Sequence, residues 1–226
     1  MPEKIKNKSY FLHDRTDVFK LVPKTVRRVL DVGCGVGVLG KRLKESGMEV
    51  TGIEKDEKSC KEAGRYLHGV ICCDAEKDDP CLDEKYFDCI IYGDVLEHFY
   101  DPTHVLIRYK KYLKDDGIVI ASMPNVRYYK VLIRLFCGTW DYVDSGILDV
   151  SHVRFFTLIN IKEMFAAAGF GIESIKRNIV ASRGFRVLNL IFLSLMKDFL
   201  TYQYYIVAKK SFLEKPTGKK RKIYKF

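Results

Sequence analysis

Val29 to Glu54, VLDVGCGVGVLGKRLKESGMEVTGIE, is the stretch of sequence that decides the fold. Its first four residues are mostly apolar and rich in β-branched side chains, which predicts a buried parallel strand. Gly33, Gly35 and Gly37 follow directly, and the absence of side chains there lets the backbone turn sharply and approach a ligand closely. The stretch therefore predicts a strand that leads into a ligand-binding loop.

A helix and a second strand complete this unit. Helical periodicity begins at about Val38, so the glycine loop leads into a helix N-terminus with unpaired N–H groups. Gly47 is expected to end the helix, and residues 48–53 predict the second strand. Glu54 then lies at the carboxyl end of that strand, 21 residues after Gly33, where a carboxylate can accept hydrogen bonds from both ribose hydroxyls.

Two classes of nucleoside cofactor use this layout. Gly35, Gly37 and Gly40 satisfy the G-x-G-x-x-G pattern of dinucleotide-binding proteins, so a nicotinamide-dependent oxidoreductase stays an alternative. However, Asp31 stands beside the loop, where its carboxylate would repel a pyrophosphate. The same carboxylate favours the cationic amino group and sulfonium of S-adenosylmethionine. The loop therefore favours S-adenosylmethionine over NAD.

Residues 30–37, LDVGCGVG, resemble the first motif of the class I S-adenosylmethionine-dependent methyltransferases. Later segments are similar to that family in the same order. Asp74 and Ala75 follow a predicted third strand at residues 70–73, and GDVLEH at 93–98 follows a predicted fourth strand at 87–92. The resemblance implies that the cofactor is bound by Asp31, Gly33, Cys34, Gly35, Gly37, Glu54, Asp74, Ala75, Asp94 and Val95.

The order of these elements predicts an α/β fold. Five βα units in sequence imply a parallel sheet with right-handed crossovers. The resemblance extends this to a Rossmann-like, seven-stranded, mostly parallel sheet with helices on both faces, an antiparallel last strand and a lid inserted after strand five. The predicted segments are an N-terminal extension (1–24), a methyltransferase domain (25–210) with a lid (125–156) and an apolar helix (185–200), and a basic tail (211–226).

Within that frame, local patterns predict finer boundaries. We expect a helix from Asp101 to Leu113, a turn at residues 116–117 and a fifth strand at 118–122. The lid is expected to open with a helix at 126–136.

Composition and charge limit the class of protein, its partners and its location. The 226 residues are 47% hydrophobic, enough for one domain with a two-sided sheet core, and no apolar run is long enough to span a bilayer. The net charge of +10 is concentrated at the two ends of the chain, and the body has no basic pattern that predicts nucleic-acid binding. Seven cysteines without a CxxC pair, and no signal peptide, predict a reducing cytoplasmic location.

The lid carries a second resemblance. Its segments GTWDY at 138–142 and LDVSHVRFFT at 148–157 are similar to methyltransferases associated with glycan assembly and, more distantly, to ubiquinone-pathway O-methyltransferases. The resemblance implies a hydroxyl oxygen on a small-molecule or glycan-type acceptor. His152 and His98 are the candidate catalytic bases because imidazole titrates near neutral pH; structural histidines are the alternative.

A divalent metal ion is a further possibility. Asp94, Glu97, His98 and His152 follow the spacing with which small-RNA 3′-terminal 2′-O-methyltransferases hold such an ion, with Asp in place of the usual first Glu. Spacings of three and four residues place the first three side chains on one face of a helical turn. Mixed oxygen and nitrogen ligands suit magnesium, manganese or zinc.

The end of the chain leaves its partners open. Three roles are open for the apolar helix predicted at 185–200. It is expected to pack against the lid, to mediate homo-oligomer formation, or to contact a membrane surface together with the basic tail. A non-catalytic subunit that binds S-adenosylmethionine without transferring its methyl group stays a second alternative.

Overall fold

A computed structural model describes residues 15–180 and 196–211 of the protein. The strands are β1 (Arg28–Val32), β2 (Glu49–Glu54), β3 (Gly69–Cys72), β4 (Phe87–Gly93), β5 (Leu113–Pro124), β6 (Phe170–Ile179) and β7 (Thr201–Lys210). The helices are α1 (Thr16–Phe19), α2 (Val38–Glu45), α3 (Glu57–Ala63), α4 (Pro102–Tyr109), α5 (Tyr129–Phe136), α6 (Leu158–Ala167) and α7 (Lys197–Leu200), with 3-10 helices at Leu96–His98 and Lys110–Tyr112.

These strands form one sheet in the order β3-β2-β1-β4-β5-β7-β6. β1 to β5 are paired in parallel, and β7 runs antiparallel to both β5 and β6. The predicted fold class is confirmed, including the antiparallel last strand.

Helices cover both faces of the sheet, as the apolar run in β1 requires. Val29 packs with Leu39 and Leu43 of α2 on one face, whereas Leu30 and Val32 belong to the core on the opposite face. Because successive strand residues point to opposite faces, a strand buried on both sides must be apolar at nearly every position.

Three predicted boundaries differ from the structure. The turn expected at residues 116–117 is absent, because β5 already begins at Leu113, which pairs with Phe87. A register shift before the next pair, Cys89 with Ile118, leaves the extra residues within β5. The helix predicted at 101–113 ends at Tyr109 and continues as a 3-10 helix. The lid helix begins at Tyr129 rather than 126, because Asn125 still forms a β-bridge with Phe156.

The N-terminal part of the described chain packs against the sheet. Val18 of α1 and Val22 are buried in the core next to α2, and Asp17 forms an ion pair of 2.8 Å with Lys176 of β6. The boundary proposed at residue 25 stays a prediction, but this packing joins residues 15–24 to the sheet.

The apolar helix predicted at 185–200 falls largely outside the described residues. Of the predicted segment, the described part is helical at Lys197–Leu200. Most of the basic tail predicted at 211–226 lies outside them as well. Within the described ranges, none of the helices combines the length and hydrophobicity needed to cross a bilayer.

Candidate functional site

A cavity of about 360 Å³ lies at the carboxyl ends of β1, β2 and β4. This position and size are typical of ligand sites in open α/β sheets. The sequence-predicted residues that line it are Gly33, Cys34, Gly35, Glu54, Asp74, Ala75, Asp94, Val95 and His98. Four other predicted residues do not line it: Asp31, Gly37, Glu97 and His152.

The glycine loop is shaped by close contacts that exclude side chains. Gly33 has a φ of 73°, and a Cβ added there would lie 2.6 Å from Cγ2 of Val95. Gly37 has a φ of 82°, and its added Cβ would lie 3.1 Å from the Cα of Ala63 in α3. The loop therefore needs glycine both for its backbone conformation and for its packing.

Glu54 joins the end of β2 to the glycine loop. Its Oε2 accepts a hydrogen bond of 2.9 Å from the N–H of Gly35. Its Oε1 accepts hydrogen bonds from the N–H groups of Lys55 (2.8 Å) and Asp56 (3.0 Å). The carboxylate is thus fixed at the cavity wall, and Oε2 keeps a lone pair for a further donor.

Asp31 is a buried carboxylate beneath the loop. The residue has no exposed surface, and neither carboxylate oxygen has a hydrogen-bond partner among the described residues. Burial raises the pKa of this carboxyl to about 6, and the positive charge of Arg15 opposes the shift. The carboxylate therefore lies outside the cavity lining, at the end of β1 that leads into the loop.

Two further predicted contacts form the wall next to β3. Oδ1 of Asp74 accepts a hydrogen bond of 2.9 Å from the N–H of Glu76, and its Oδ2 lies 3.5 Å from Nζ of Lys77. The carbonyl of Ala75 accepts a hydrogen bond from Arg108. These contacts order the turn that closes this side of the cavity.

Cys34 also lines the cavity, and its thiol is largely enclosed. Burial raises the pKa of the thiol, so the neutral form prevails, and Sγ lies 3.6 Å from the carbonyl oxygen of Gly35. The side chain is suited to fill space beneath the loop rather than to react.

Asp94 is held at the cavity by three other elements. It has a left-handed backbone with a φ of 51°, and its Oδ1 accepts hydrogen bonds from Oγ of Ser122 (2.7 Å) and from Gln203 of β7. Its Oδ2 lies 3.8 Å from Nε of Arg15. Arg15 also lines the cavity and was not predicted, because it lies in a segment of the sequence without a motif.

The lid folds back onto the 3-10 helix after β4. The N–H groups of Val153 and Arg154 both donate to the carbonyl of Glu97 at 3.0 Å. The rings of His98 and His152 then meet edge to face, with 4.8 Å between their centroids. Two histidines that are 54 residues apart in sequence are thereby brought together beside the cavity.

Both histidines are oriented by backbone carbonyls. Nδ1 of His98 lies 3.0 Å from the carbonyl oxygen of Ser151, and Nδ1 of His152 lies 2.9 Å from that of Ile147. A carbonyl can only accept, so Nδ1 is the protonated nitrogen in each ring. In the neutral rings the lone pair is then on Nε2.

Glu97 completes this group. Its side chain is buried, its Oε1 lies 3.8 Å from Nε2 of His152, and its Oε2 has no hydrogen-bond partner among the described residues. Burial and the nearby charges of Asp94 and Asp149 raise the pKa of this carboxyl. One ligand atom each from Glu97, His98 and His152 lies within 4.8 Å of the other two.

The fourth predicted metal ligand does not join this group. Asp94 was predicted on sequence spacing, but its carboxylate is held by Ser122, Gln203 and Arg15 instead. The structure therefore reduces the candidate cation site to one carboxylate and two imidazoles, a set found in catalytic zinc sites. The buried Oε2 of Glu97 fits a cation there.

Comparison with known proteins defines the family. Residues 5–175 match the methyltransferase-domain family, and the chain belongs to these class I S-adenosylmethionine-dependent methyltransferases. This match favours S-adenosylmethionine over the nicotinamide alternative.

Curated relatives are similar over part of their length. The chain is 34% identical over 127 residues to a ubiquinone biosynthesis O-methyltransferase of Actinobacillus pleuropneumoniae, covering 52% of this chain and 53% of the relative. It is 30% identical over 158 residues to the protein of that name in Chromobacterium violaceum, covering 66% of each. The matches thus span from about half to two thirds of these relatives.

A solved structure confirms the fold. A methyltransferase from Archaeoglobus fulgidus superimposes with a TM-score of 0.61 at 23% identity, covering 83% of this chain and 87% of that one.

Proposed function

We propose that this protein transfers the methyl group of S-adenosylmethionine to a hydroxyl oxygen of a small-molecule or glycan-type acceptor. The observation that carries the proposal is the histidine pair, because the lid brings His152 to His98 at the edge of the cofactor cavity. The relatives named above are O-methyltransferases, which supports oxygen as the methyl acceptor.

We assign the cofactor one orientation in the cavity. Glu54 is suited to bind the ribose, and Asp74 and Ala75 lie on the side proposed for adenine. The loop of Gly33 and Gly35 would receive the methionine end, whose cationic groups match the buried charge of Asp31 beneath it. Val95 and Asp94 form the wall between this end and the lid, while Cys34 and Gly37 support the loop.

Arg15 extends this assignment. Its guanidinium lines the cavity beside Asp94, at the end of the cavity proposed for methionine. A guanidinium presents paired N–H donors that match the geometry of a carboxylate. We therefore assign Arg15 to the α-carboxylate of the cofactor.

The bound cofactor would supply a methyl group on a sulfonium, which a nucleophile displaces in line. The protein has to hold the acceptor oxygen close to this methyl group and accept the hydroxyl proton. Nε2 of His98 or His152 is suited to take that proton, because Nδ1 of each ring is anchored to a carbonyl.

We propose a divalent cation held by Glu97, His98 and His152 as a second version of the same site. A histidine that binds a metal ion through one ring nitrogen usually donates the N–H of the other to a carboxylate, a backbone carbonyl or water. The Nδ1 contacts of His98 and His152 with backbone carbonyls fit this arrangement. An ion there would act as a Lewis acid on the acceptor hydroxyl.

Other proposals rest on the sequence. We propose a cytoplasmic location because the thiols suit a reducing compartment. The composition of residues 185–200 and 211–226 suggests homo-oligomer formation or membrane contact.

The experiment that tests the proposed function combines product analysis with a histidine variant. With isotopically labelled methyl donor and a panel of phenolic and glycan hydroxyl acceptors, we expect a methyl ether product. His152→Ala should reduce turnover by about a hundredfold or more and leave S-adenosylhomocysteine affinity nearly unchanged. His104→Ala, at an exposed position on α4, is the matched control and should be fully active.

Each other outcome has a defined meaning. If no acceptor is labelled although S-adenosylhomocysteine binds, the non-catalytic alternative is favoured. If activity survives exhaustive chelation but is lost in His152→Ala, the histidine acts without a metal ion. A fully active His152→Ala variant would contradict both versions of the site.

A further inference from the structure

Helix α5 directs apolar side chains toward solvent. Successive residues of an α-helix are about 100° apart around its axis, so Ile133 and Phe136 lie roughly opposite Val131. Val131 is the buried residue of α5, whereas Phe136 is 93% exposed and Ile133 and Leu135 are each 53% exposed. A surface helix normally has the reverse arrangement, with its apolar side facing the core. The exposed side of α5 is therefore suited to contact an apolar environment.

The orientation of α5 is fixed by a small core of its own. Val131 packs with Tyr128, Ile147 and Leu148, and the hydroxyl of Tyr128 donates a hydrogen bond of 2.9 Å to the carbonyl of Val180. The exposed apolar side chains are thus held on an anchored helix.

Charge around α5 favours an anionic partner. Residues 126–140 contain three cations, Arg127, Lys130 and Arg134, and no acidic residue. Lys130 and Arg134 are exposed and four positions apart, which places them on one side of the helix next to its apolar face. The next acidic residues are Asp141 and Asp144, in the loop that follows.

We propose that α5 docks on the surface of an anionic phospholipid bilayer. Ile133 and Phe136 would enter the interface between headgroups and acyl chains, while Lys130 and Arg134 would contact the headgroups. A second copy of the chain fits less well, because eight residues of helix are only about 12 Å long and stable dimers bury about 800 Å² on each partner.

Docking would also orient the active site. α5 follows β5 at the carboxyl edge of the sheet, where the cavity lies, and the cavity residue Tyr100 is exposed there. The acceptor would then reach the enzyme from the bilayer surface, which points to an amphiphilic acceptor. This consequence rests on the proposed function, whereas docking itself does not.

The test is co-sedimentation of the full-length protein with vesicles. Vesicles of phosphatidylcholine with about 30% phosphatidylglycerol should bind the protein at low salt, pure phosphatidylcholine much less, and high salt should weaken the binding. The double variant Ile133→Ser/Phe136→Ser should reduce the bound fraction by about fivefold or more, because it removes apolar contact area. Lys130→Gln/Arg134→Gln should lose binding mainly at low salt.

The matched control replaces apolar residues elsewhere. Ile107 of α4 and Ile159 of α6 are 48% and 49% exposed, and Ile107→Ser/Ile159→Ser should bind vesicles like the unmodified protein. All variants keep the basic tail, so binding that persists in Ile133→Ser/Phe136→Ser would assign docking to another segment and overturn the proposal. Absence of binding by the unmodified protein would overturn it as well.

Trp140 offers a second readout within the same protein. It is the single tryptophan of the chain, follows α5 by four residues, and packs edge to face on Phe155 at 5.3 Å. Anionic vesicles should change its fluorescence emission in the unmodified protein but not in Ile133→Ser/Phe136→Ser. S-adenosylhomocysteine affinity, measured without vesicles, should be equal in both, so failure of docking and failure of the cofactor assignment are distinguishable.

Discussion

At the scale of single residues, the sequence was most informative where the position of a residue follows from the strand or loop that contains it. Glu54 could be placed at the cavity because a strand that ends 21 residues after Gly33 puts its last residue beside the glycine loop. Its bond to the N–H of Gly35 could not be predicted, because it depends on how the loop folds back. Arg15 was missed for a similar reason, since only tertiary packing brings it to Asp94.

Replacement of Glu54 tests the cofactor assignment. Glu54→Ala removes the proposed ribose acceptor and the acceptor of the Gly35 N–H, so S-adenosylhomocysteine affinity should fall by about 1.5 to 3 kcal/mol. Titration calorimetry measures this loss, and NAD should give no binding heat with the unmodified protein. Glu57→Ala, an exposed acid in the first turn of α3, should bind normally. Equal affinity in the two variants would exclude Glu54 from the ribose site.

Asp31 predicts a particular dependence of stability on pH. Burial raises its pKa from 3.8 to about 6, so the folded state retains the proton more strongly than the unfolded state. This contribution to stability is fully present below pH 3.8 and is lost as pH rises through 6. Relative to the unmodified protein, Asp31→Asn should therefore gain about 2 to 3 kcal/mol of unfolding free energy between pH 4 and pH 7.

Urea unfolding of the ligand-free proteins at several pH values measures this difference. Asp116→Asn, the same substitution at an exposed position, is the matched control. The same Asp31→Asn variant should bind S-adenosylmethionine more weakly, since the favourable charge beneath the loop is gone. If the unfolding free energies of Asp31→Asn and the unmodified protein changed in parallel with pH, the raised pKa of Asp31 would be contradicted.

At the scale of elements, periodicity predicted the strands and helices that pack through one regular face. β1, β2, β4 and α2 begin and end within one or two residues of the predicted positions. The start of β5 and the start of α5 were not predicted, because pairing between Phe87 and Leu113 and between Asn125 and Phe156 sets them. Such contacts join residues far apart in sequence and leave no local pattern.

The glycine loop allows a matched comparison of strain and packing. Gly37 and Gly47 both have left-handed backbones, with φ of 82° and 87°, but an added Cβ has no neighbour within 4 Å at Gly47. Gly47→Ala should therefore lose only about 1 to 2 kcal/mol of unfolding free energy. Gly37→Ala should lose more, because its Cβ would press α2 away from Ala63, and it should also weaken S-adenosylhomocysteine binding. Equal losses of unfolding free energy in the two variants would mean that the left-handed backbone alone, and not packing against Ala63, requires glycine at position 37.

At the scale of the whole molecule, the site depends on the two ends of the described chain. Arg15, which directly precedes α1, and Gln203 of β7 both reach the carboxylate of Asp94. α1 is itself attached to the sheet by buried Val18 and by the contacts of Asp17 with Lys176 and Tyr205. The motif residues alone therefore do not complete the cavity.

This dependence predicts a coupling between packing and cofactor affinity. Val18→Ala should lower the unfolding free energy by about 1 to 2 kcal/mol and also weaken S-adenosylhomocysteine binding, because it loosens α1, which Arg15 directly precedes. Val26→Ala, in the same core but outside α1, should destabilise the protein similarly and leave affinity unchanged.

A double-mutant cycle separates this coupling from general loosening. Arg15→Gln should weaken S-adenosylhomocysteine binding with little change in stability, because the partly exposed side chain would lose chiefly its contact with the ligand carboxylate. If α1 acts on the cofactor through Arg15, Val18→Ala should reduce affinity no further in the Arg15→Gln background. Additive losses in the double variant would instead show that α1 shapes the cavity through its backbone, and Arg15 would no longer explain why the N-terminal helix matters.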